Sequence, residues 1–245
     1  MHDDPGELQS RIAESTGRLL ATAAELTDDQ VRAPSLLPGW SRGHVLAHLA
    51  RNADGLRNLL VWARTGVVTP QYPSAQARDA AIEAGAGRPA RELLADLRES
   101  AAAFRAEAAG LPQAAWQVVV RGLRGRGHPA WYTLSRRLSE VEIHHVDLAA
   151  GYQAADWPAV FVGERLESVA AEFAQRDDVP YALLRDTADT ARKEYRIGTA
   201  ADCGEGQGLE ISGPGRALLA WLIGRSAGAG LAAEPPGPLP GLPAW

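Results

Sequence analysis

The chain has 245 residues, of which 46% are hydrophobic and 22% are charged, and its formal net charge is −5. This length is enough for one large domain or two small ones with a buried core, and the composition is ordinary for a globular protein. The acidic balance argues against nucleic-acid binding, and no apolar run reaches the roughly 18 residues that a membrane span requires. We expect a cytoplasmic location, because the acidic N-terminus lacks a signal-peptide core.

The apolar residues of the first half of the chain recur with a helical period. The predicted long helices cover about 7–26, 41–66, 89–109 and 130–150. Ser41 is the expected N-cap of the second of these helices, and Gly66 is expected to end it. A turn at 27–29, a short helix over 74–84 and an irregular segment over 111–128 lie between them. Four long amphipathic helices in about 150 residues predict a four-helix bundle.

The pattern changes in the second part of the chain, where alternating segments and turn residues become frequent. The predicted elements are a helix over 158–175, strands over 194–199 and 208–212, and a helix over 216–225. The proline-rich tail from residue 234 onward is expected to lie extended on the surface. We therefore predict a mainly α fold with two domains, a helical bundle over residues 1–155 and a small α+β domain over 156–245.

Cys203 is the only cysteine, so the chain can form neither an intrachain disulfide nor a thiolate-rich metal site. Any metal would have to be held by histidines and carboxylates. The neighbouring Asp202 and Glu205 disfavour a thiolate at Cys203, which makes this residue a poor nucleophile. A reaction that requires a thiol would therefore obtain its sulfur from outside the protein.

The last helix of the predicted bundle contains two pairs of possible ligands. Glu140 and His144 are four residues apart and share one face of the helix, where they could bind a divalent metal or form an intrahelical ion pair. Glu142 and His145 have the Glu-x-x-His spacing of di-iron bundles, but no second such motif is present. We predict that Glu142 is a solvated charge and that His145 is a hydrogen-bonded core or interface histidine.

The second helix supplies two more imidazoles, His44 and His48. One of them, together with Glu140 and His144, would make a three-ligand site, and such a site leaves a coordination position open for water or substrate. The other would cap the helix or form a local hydrogen bond. Asp147 could orient a ligand imidazole through its free ring nitrogen, or it could be a charge on the helix surface.

Several motifs, in order along essentially the whole chain, resemble the mycothiol-dependent maleylpyruvate isomerase family. They are Leu37-Pro38-Gly39-Trp40-Ser41 leading into His48, Tyr72-x-Ser74 to Arg78, Glu140 to His144 with Val146-Asp147-Leu148, Gly224-Arg225, and the proline-rich tail that ends at Trp245. The resemblance implies a DinB-like four-helix metal-binding domain followed by a small α+β domain. It also implies that the zinc ligands are His48, Glu140 and His144, and that His44 is not a ligand.

The implied activity is the zinc- and mycothiol-dependent cis-trans isomerisation of maleylpyruvate to fumarylpyruvate by reversible thiol addition, a step of the gentisate pathway of aromatic degradation. Arg225 is implied as a substrate-binding and catalytic residue and Arg78 as a second substrate-binding residue, although a helix C-terminus alone also favours an arginine at 225. The expected partners are mycothiol and a small diacid, without nucleic acid or membrane, and the expected state is a monomer or weak homo-oligomer. The alternatives are a mycothiol S-transferase or thiol-exchange enzyme, and a non-enzymatic metal-binding module.

Overall fold

The structure of the protein is a computed structural model that describes residues 4–123, 125, 127–188, 193–199 and 208–245. The chain divides into two compact units, Met1–Tyr152 and Gln153–Trp245. None of the helices in the described ranges combines the length and apolar character needed to cross a membrane. Cys203 and its acidic neighbours lie outside the described residues.

The first unit is mainly helical. Its helices are α1 (Pro5–Ala24), α2 (Asp28–Arg32), α3 (Arg42–Thr65), α4 (Ala75–Ala86), α5 (Ala90–Ala109) and α6 (Tyr132–Asp147). The four long helices form a bundle in which α1 and α3 each contact both α5 and α6, and α4 packs against α3. Strands β1 (Val119–Arg121) and β2 (Gly127–Pro129) form an antiparallel hairpin before α6. The predicted four-helix bundle is confirmed.

Local sequence signals set the ends of α3 as predicted. The Ser41 hydroxyl accepts a hydrogen bond from the His44 amide at 3.3 Å, and His44 Nδ1 accepts one from the Ser41 amide at 3.2 Å. This reciprocal pair is a capping box, which satisfies two amides that the first turn leaves unpaired. Gly66 ends the helix in the left-handed region, with φ of 72°. Such a conformation costs glycine less than other residues because it has no Cβ.

Short elements depart from the prediction. Residues 28–32 form α2 rather than a turn alone, because Thr27 and Gln30 make a capping box at its start. The segment 111–128, predicted to be irregular, contains a 3-10 turn at 113–117 and strand β1, which pairs with β2. A strand of three residues is too short to show a period in the sequence, and it is stabilised by its partner.

The second unit combines helices with a mixed sheet. Its elements are α7 (Ala159–Phe173), β3 (Ala182–Asp186), β4 (Glu194–Ile197), β5 (Leu209–Gly213), α8 (Gly215–Leu222) and β6 (Ala232–Glu234). The strand order is β4-β3-β5-β6, with β3 and β5 parallel and the other pairs antiparallel. Helices α7 and α8 pack on each other and on the sheet. The predicted helices and both predicted strands are present, whereas β3 and β6 were not predicted.

Helix α6 buries polar side chains against two neighbours, and this places the candidate site. Toward α3, the Arg137 Nη1 donates to the Leu49 carbonyl and to Asn52 Oδ1, both at 2.9 Å. Toward α1, the buried Glu142 accepts hydrogen bonds from Ser15 and from Arg18. These contacts fix the rotation of α6 in the bundle, so Glu140 and His144 point toward α3.

Candidate metal centre

Helices α3 and α6 bring three possible metal ligands together, as the spacing and the resemblance led us to expect. Glu140 Oε2 lies 3.0 Å from His48 Nε2 and 3.3 Å from His144 Nε2. One ligand atom from each of the three residues lies within 4.8 Å of the other two. The His48 side chain is buried, and Glu140 and His144 are partly exposed. Two imidazoles and one carboxylate are a ligand set typical of zinc with an open position for water or substrate.

The second nitrogen of His144 has the partner that a metal-bound imidazole requires. His144 Nδ1 lies 2.8 Å from Asp147 Oδ2, and Asp147 is fully buried. An ionised carboxylate only accepts hydrogen bonds, so the proton stays on Nδ1 and Nε2 is left for a metal. The alternative of a surface charge for Asp147 is therefore wrong, because the side chain has no access to water.

Burial and mutual hydrogen bonds shift the pKa values of the three candidate ligands. Burial would raise the pKa of Glu140, but hydrogen bonds from His144 and His48 hold it well below its usual range. Burial lowers the pKa of His48, which keeps this imidazole neutral. Burial would also lower the pKa of His144, but hydrogen bonds to Asp147 and Glu140 raise it to about 9. At neutral pH and without a metal, His144 therefore carries a proton on both ring nitrogens, and its Nε2 proton faces Glu140.

Metal binding is expected to release about one proton per ion at neutral pH and to weaken as the pH falls below about 9. His144 must lose its Nε2 proton to coordinate, whereas Glu140 is already ionised and His48 is already neutral. Each pH unit below the pKa of His144 should lower the apparent affinity up to about tenfold. Calorimetric titration with zinc in two buffers of different ionisation enthalpy counts the released protons. An affinity that stays constant between pH 7 and 9 would contradict this prediction.

Replacing Asp147 with asparagine is expected to weaken metal affinity by about 10- to 100-fold. Asparagine keeps the shape of the side chain and one acceptor oxygen, but it removes the negative charge that supports the His144 imidazole. Competition with a chromophoric chelator measures the affinity, and Asp29→Asn on the exposed surface of α2 is the control. An affinity within twofold of the wild type would show that Asp147 does not support the ligand.

Aromatic and cationic side chains surround the three residues. The Trp40 ring lies 5.6 Å from the His48 ring, between ring centres. Tyr72 packs directly on the α3 backbone, since a Cβ at Gly55 would come within 2.8 Å of Tyr72 Cζ. Burial raises the pKa of Tyr72, and the negative charge of Glu140 adds to this effect. Arg78 supplies a cation beside His48, with Nη2 3.3 Å from His48 Nδ1. Trp40 and Tyr72 belong to the motifs of the family resemblance, but the sequence alone did not predict them as site residues.

His44 and Arg225 have other environments. His44 Nδ1 lies 2.7 Å from Ser41 Oγ, and His44 Nε2 lies 3.2 Å from Glu83 Oε2, so this ring caps α3 and does not take part in the cluster. Arg225 belongs to the second unit, where it follows α8 and donates from Nη1 to the Ile223 carbonyl at 2.8 Å. Its role in substrate binding stays a prediction.

The prediction for Glu142 is wrong, because this side chain is buried rather than solvated. It accepts hydrogen bonds from Ser15 Oγ, from Arg18 Nη2 at 2.8 Å and from the Tyr152 hydroxyl at 2.6 Å. His145 is buried beside it, with Nε2 2.8 Å from Thr22 Oγ1, as predicted for a hydrogen-bonded core histidine. A buried polar network thus joins this face of α6 to α1.

The protein therefore has two units. The first is a helical bundle with a candidate metal centre, His48, Glu140 and His144, between two of its helices, and the second is a small α+β unit. Residues 12–149 match the family described as mycothiol maleylpyruvate isomerase N-terminal domain, and residues 156–244 match the MDMPI C-terminal domain. The chain therefore belongs to the mycothiol maleylpyruvate isomerase family.

Two solved structures share this fold over almost their whole length. One is the crystal structure of the mycothiol-dependent maleylpyruvate isomerase, and the other is a histidine-to-alanine mutant of that enzyme. Each has a TM-score of 0.90 and 26% sequence identity, with 99% of this chain and 97% of the other chain covered. A comparison with curated proteins gave no match.

Proposed function

We propose that this protein is a cis-trans isomerase that converts maleylpyruvate to fumarylpyruvate, with zinc at the candidate centre and mycothiol as the thiol cosubstrate. The observation that carries the proposal is the convergence of His48, Glu140 and His144 in a chain of this family. The crystal structure that this chain resembles is that of the mycothiol-dependent maleylpyruvate isomerase, and we propose the same activity for this chain.

The residues present fit a divalent metal. His48, Glu140 and His144 would hold it, and Asp147 already fixes the ring nitrogen that His144 would present. When bound, zinc would stabilise a thiol in its deprotonated form. The poor suitability of Cys203 as a nucleophile agrees with a sulfur that is supplied by mycothiol.

The proposed reaction uses reversible addition to the double bond. The cis double bond of maleylpyruvate is conjugated with a carbonyl group, and rotation about it is slow. The mycothiol sulfur adds as a thiolate to one alkene carbon, and the electron pair of the double bond moves to the conjugated carbonyl oxygen. The remaining carbon–carbon single bond rotates. The electron pair then returns, the carbon–sulfur bond breaks, and the thiolate leaves with fumarylpyruvate as the product.

Arg78 would bind a carboxylate of the substrate at this site. In the structure His48 Nδ1 lies 3.3 Å from Arg78 Nη2, a group that can only donate. A histidine that coordinates through Nε2 carries its proton on Nδ1, so it cannot accept this hydrogen bond. Occupation of the centre would therefore free Arg78 Nη2 for an anion, while Nη1 forms an ion pair with Asp79 at 2.7 Å. We propose Arg225 as a second carboxylate-binding and catalytic residue on the basis of the family resemblance.

The test is turnover of maleylpyruvate by zinc-loaded protein with and without mycothiol. We expect formation of fumarylpyruvate only with the thiol, and we expect Cys203→Ser to retain full turnover because the protein supplies no sulfur. Absence of thiol-dependent loss of the substrate would overturn the assignment.

The turnover assay, together with metal analysis of the protein, separates the alternatives. A stable conjugate between mycothiol and an electrophile, without isomerisation, would indicate an S-transferase. Protein that holds no stoichiometric zinc or nickel after reconstitution would indicate a module in which the histidines are structural.

A further inference from the structure

Tyr72 is fixed at the edge of the candidate metal centre. A Cβ at Gly55 of α3 would lie 2.8 Å from Tyr72 Cζ and 2.9 Å from the Gln71 carbonyl oxygen, so the glycine lets this segment pack directly on the helix. Gln71 is buried, and its Oε1 accepts hydrogen bonds from the Leu123 amide at 3.1 Å and from Arg136 Nη2 at 3.3 Å. The Tyr72 ring therefore has a firm seat on α3, because the residue beside it is also held in place.

The hydroxyl of Tyr72 lies among the groups of the centre. Gly55 follows His48 by seven residues, which is about two helical turns, so both lie on the same face of α3. Burial raises the pKa of Tyr72, the negative charge of Glu140 raises it further, and the charge of Arg78 opposes both effects. Arg78 also forms a hydrogen bond with this hydroxyl, in which the guanidinium donates because it has no acceptor. Tyr72 is thus close to one candidate ligand and to the cation proposed for substrate binding.

Arg78 has one partner in the centre and one that faces solvent. Its Nη2 lies 3.3 Å from His48 Nδ1, and its Nη1 lies 2.7 Å from Asp79 Oδ1, on a side chain that is 67% exposed. A histidine that coordinates through Nε2 carries its proton on Nδ1, so the contact with His48 is lost when the centre is occupied. The ion pair with the exposed Asp79 does not hold the guanidinium at the centre, whereas the hydrogen bond to the fixed Tyr72 does.

We propose that Tyr72 is a positioning residue that holds Arg78 beside the loaded centre, where Arg78 Nη2 binds a carboxylate of the substrate. Because this role rests on the proposed function, the expected ligand is a small dicarboxylate. A hydrogen bond to a fixed hydroxyl restricts the many rotamers of the arginine side chain before the substrate arrives. Less ordering is then required on binding, and the affinity for the anion rises. In this role Tyr72 acts through Arg78 and not on the reacting atoms.

Calorimetric titration of zinc-loaded protein with maleate, without mycothiol, tests the proposal. Tyr72→Phe keeps the ring on Gly55 and removes only the hydroxyl, and we expect it to weaken maleate binding about tenfold while the zinc content stays unchanged. Arg78→Met should weaken maleate binding by at least the same factor. The double variant Tyr72→Phe with Arg78→Met should bind maleate within about twofold of Arg78→Met alone, because Tyr72 acts through Arg78. A general loosening of the fold would instead add the two effects.

Gly55→Ala tests the seat of the ring and leaves the hydroxyl in the chain. The added Cβ would displace Tyr72 from α3, so maleate binding should weaken about tenfold, as in Tyr72→Phe. Gly17→Ala on α1 is the matched control, since its Cβ would have no described neighbour within 4 Å beyond its own helix, and it should leave maleate binding unchanged. If Gly55→Ala does not fold, the two single variants and the double variant at residues 72 and 78 decide the outcome.

The proposal is overturned if the wild type does not bind maleate, if Tyr72→Phe binds it within about twofold of the wild type, or if the effects in the double variant are additive. The maleate titrations do not require turnover, so they separate this role from the proposed reaction. Coupling between Tyr72 and Arg78 in a protein that does not isomerise maleylpyruvate would support the positioning role and overturn only the isomerase assignment.

Discussion

Replacing His48 with alanine is expected to remove stoichiometric metal and isomerase turnover, whereas His44→Ala retains both. His48 Nε2 lies 3.0 Å from Glu140 Oε2, and the His48 and His144 ring centres are 4.6 Å apart. Loss of one of the three candidate ligands should weaken metal affinity by more than about 100-fold, since loss of an orienting partner alone costs about 10- to 100-fold. Metal analysis after dialysis, followed by turnover with mycothiol, measures both effects.

His44→Ala is a matched control because it changes the same residue type one turn earlier on α3. It removes the ring that caps the helix, which should cost about 1 kcal/mol of stability, but it leaves the ligand atoms in place. Loss of metal from His44→Ala together with retention in His48→Ala would show that the proposed ligand set contains the wrong histidine.

Replacing Glu142 with alanine is expected to lower the free energy of unfolding by about 3 kcal/mol. The substitution leaves the buried Ser15 hydroxyl and the Tyr152 hydroxyl without their acceptor, and it opens space between α1 and α6. Burial and the contact with Glu142 raise the pKa of Tyr152, so its hydroxyl remains protonated and still requires an acceptor. Arg18 is partly exposed and can be hydrated, which limits the loss.

Urea denaturation followed by helical circular dichroism measures this effect. Glu99→Ala, on the exposed surface of α5, makes the same chemical change and should stay within about 0.5 kcal/mol of the wild type. Glu142→Ala should also keep its metal while folded, because Glu142 contacts α1 and not the ligand cluster. A loss below 1 kcal/mol would show that the network contributes little, and a loss of metal from folded protein would place Glu142 in the centre.

Elements that depend on local signals were predicted well. The apolar period, the Ser41 cap and the left-handed Gly66 defined α3, and these interactions join residues within a few positions of one another. Strands β3 and β6 were missed because their stability comes from distant pairing. Leu184 of β3 pairs with Tyr195 and with Ile211, and neither contact leaves a local pattern in a strand of five residues.

The sequence by itself determined the long helices of the bundle, the spacing of Glu140 and His144 and the family resemblance, because each depends on residues close in the chain or on ordered motifs. The choice between His44 and His48 on geometric grounds, and the burial of Glu142 and Arg137, were decided only by the tertiary structure. The helical period places Glu140 and Glu142 on different faces of α6, but it does not predict which neighbouring helix each face contacts. That depends on how α6 packs between α1 and α3, where the pairing of polar groups across helices sets the rotation.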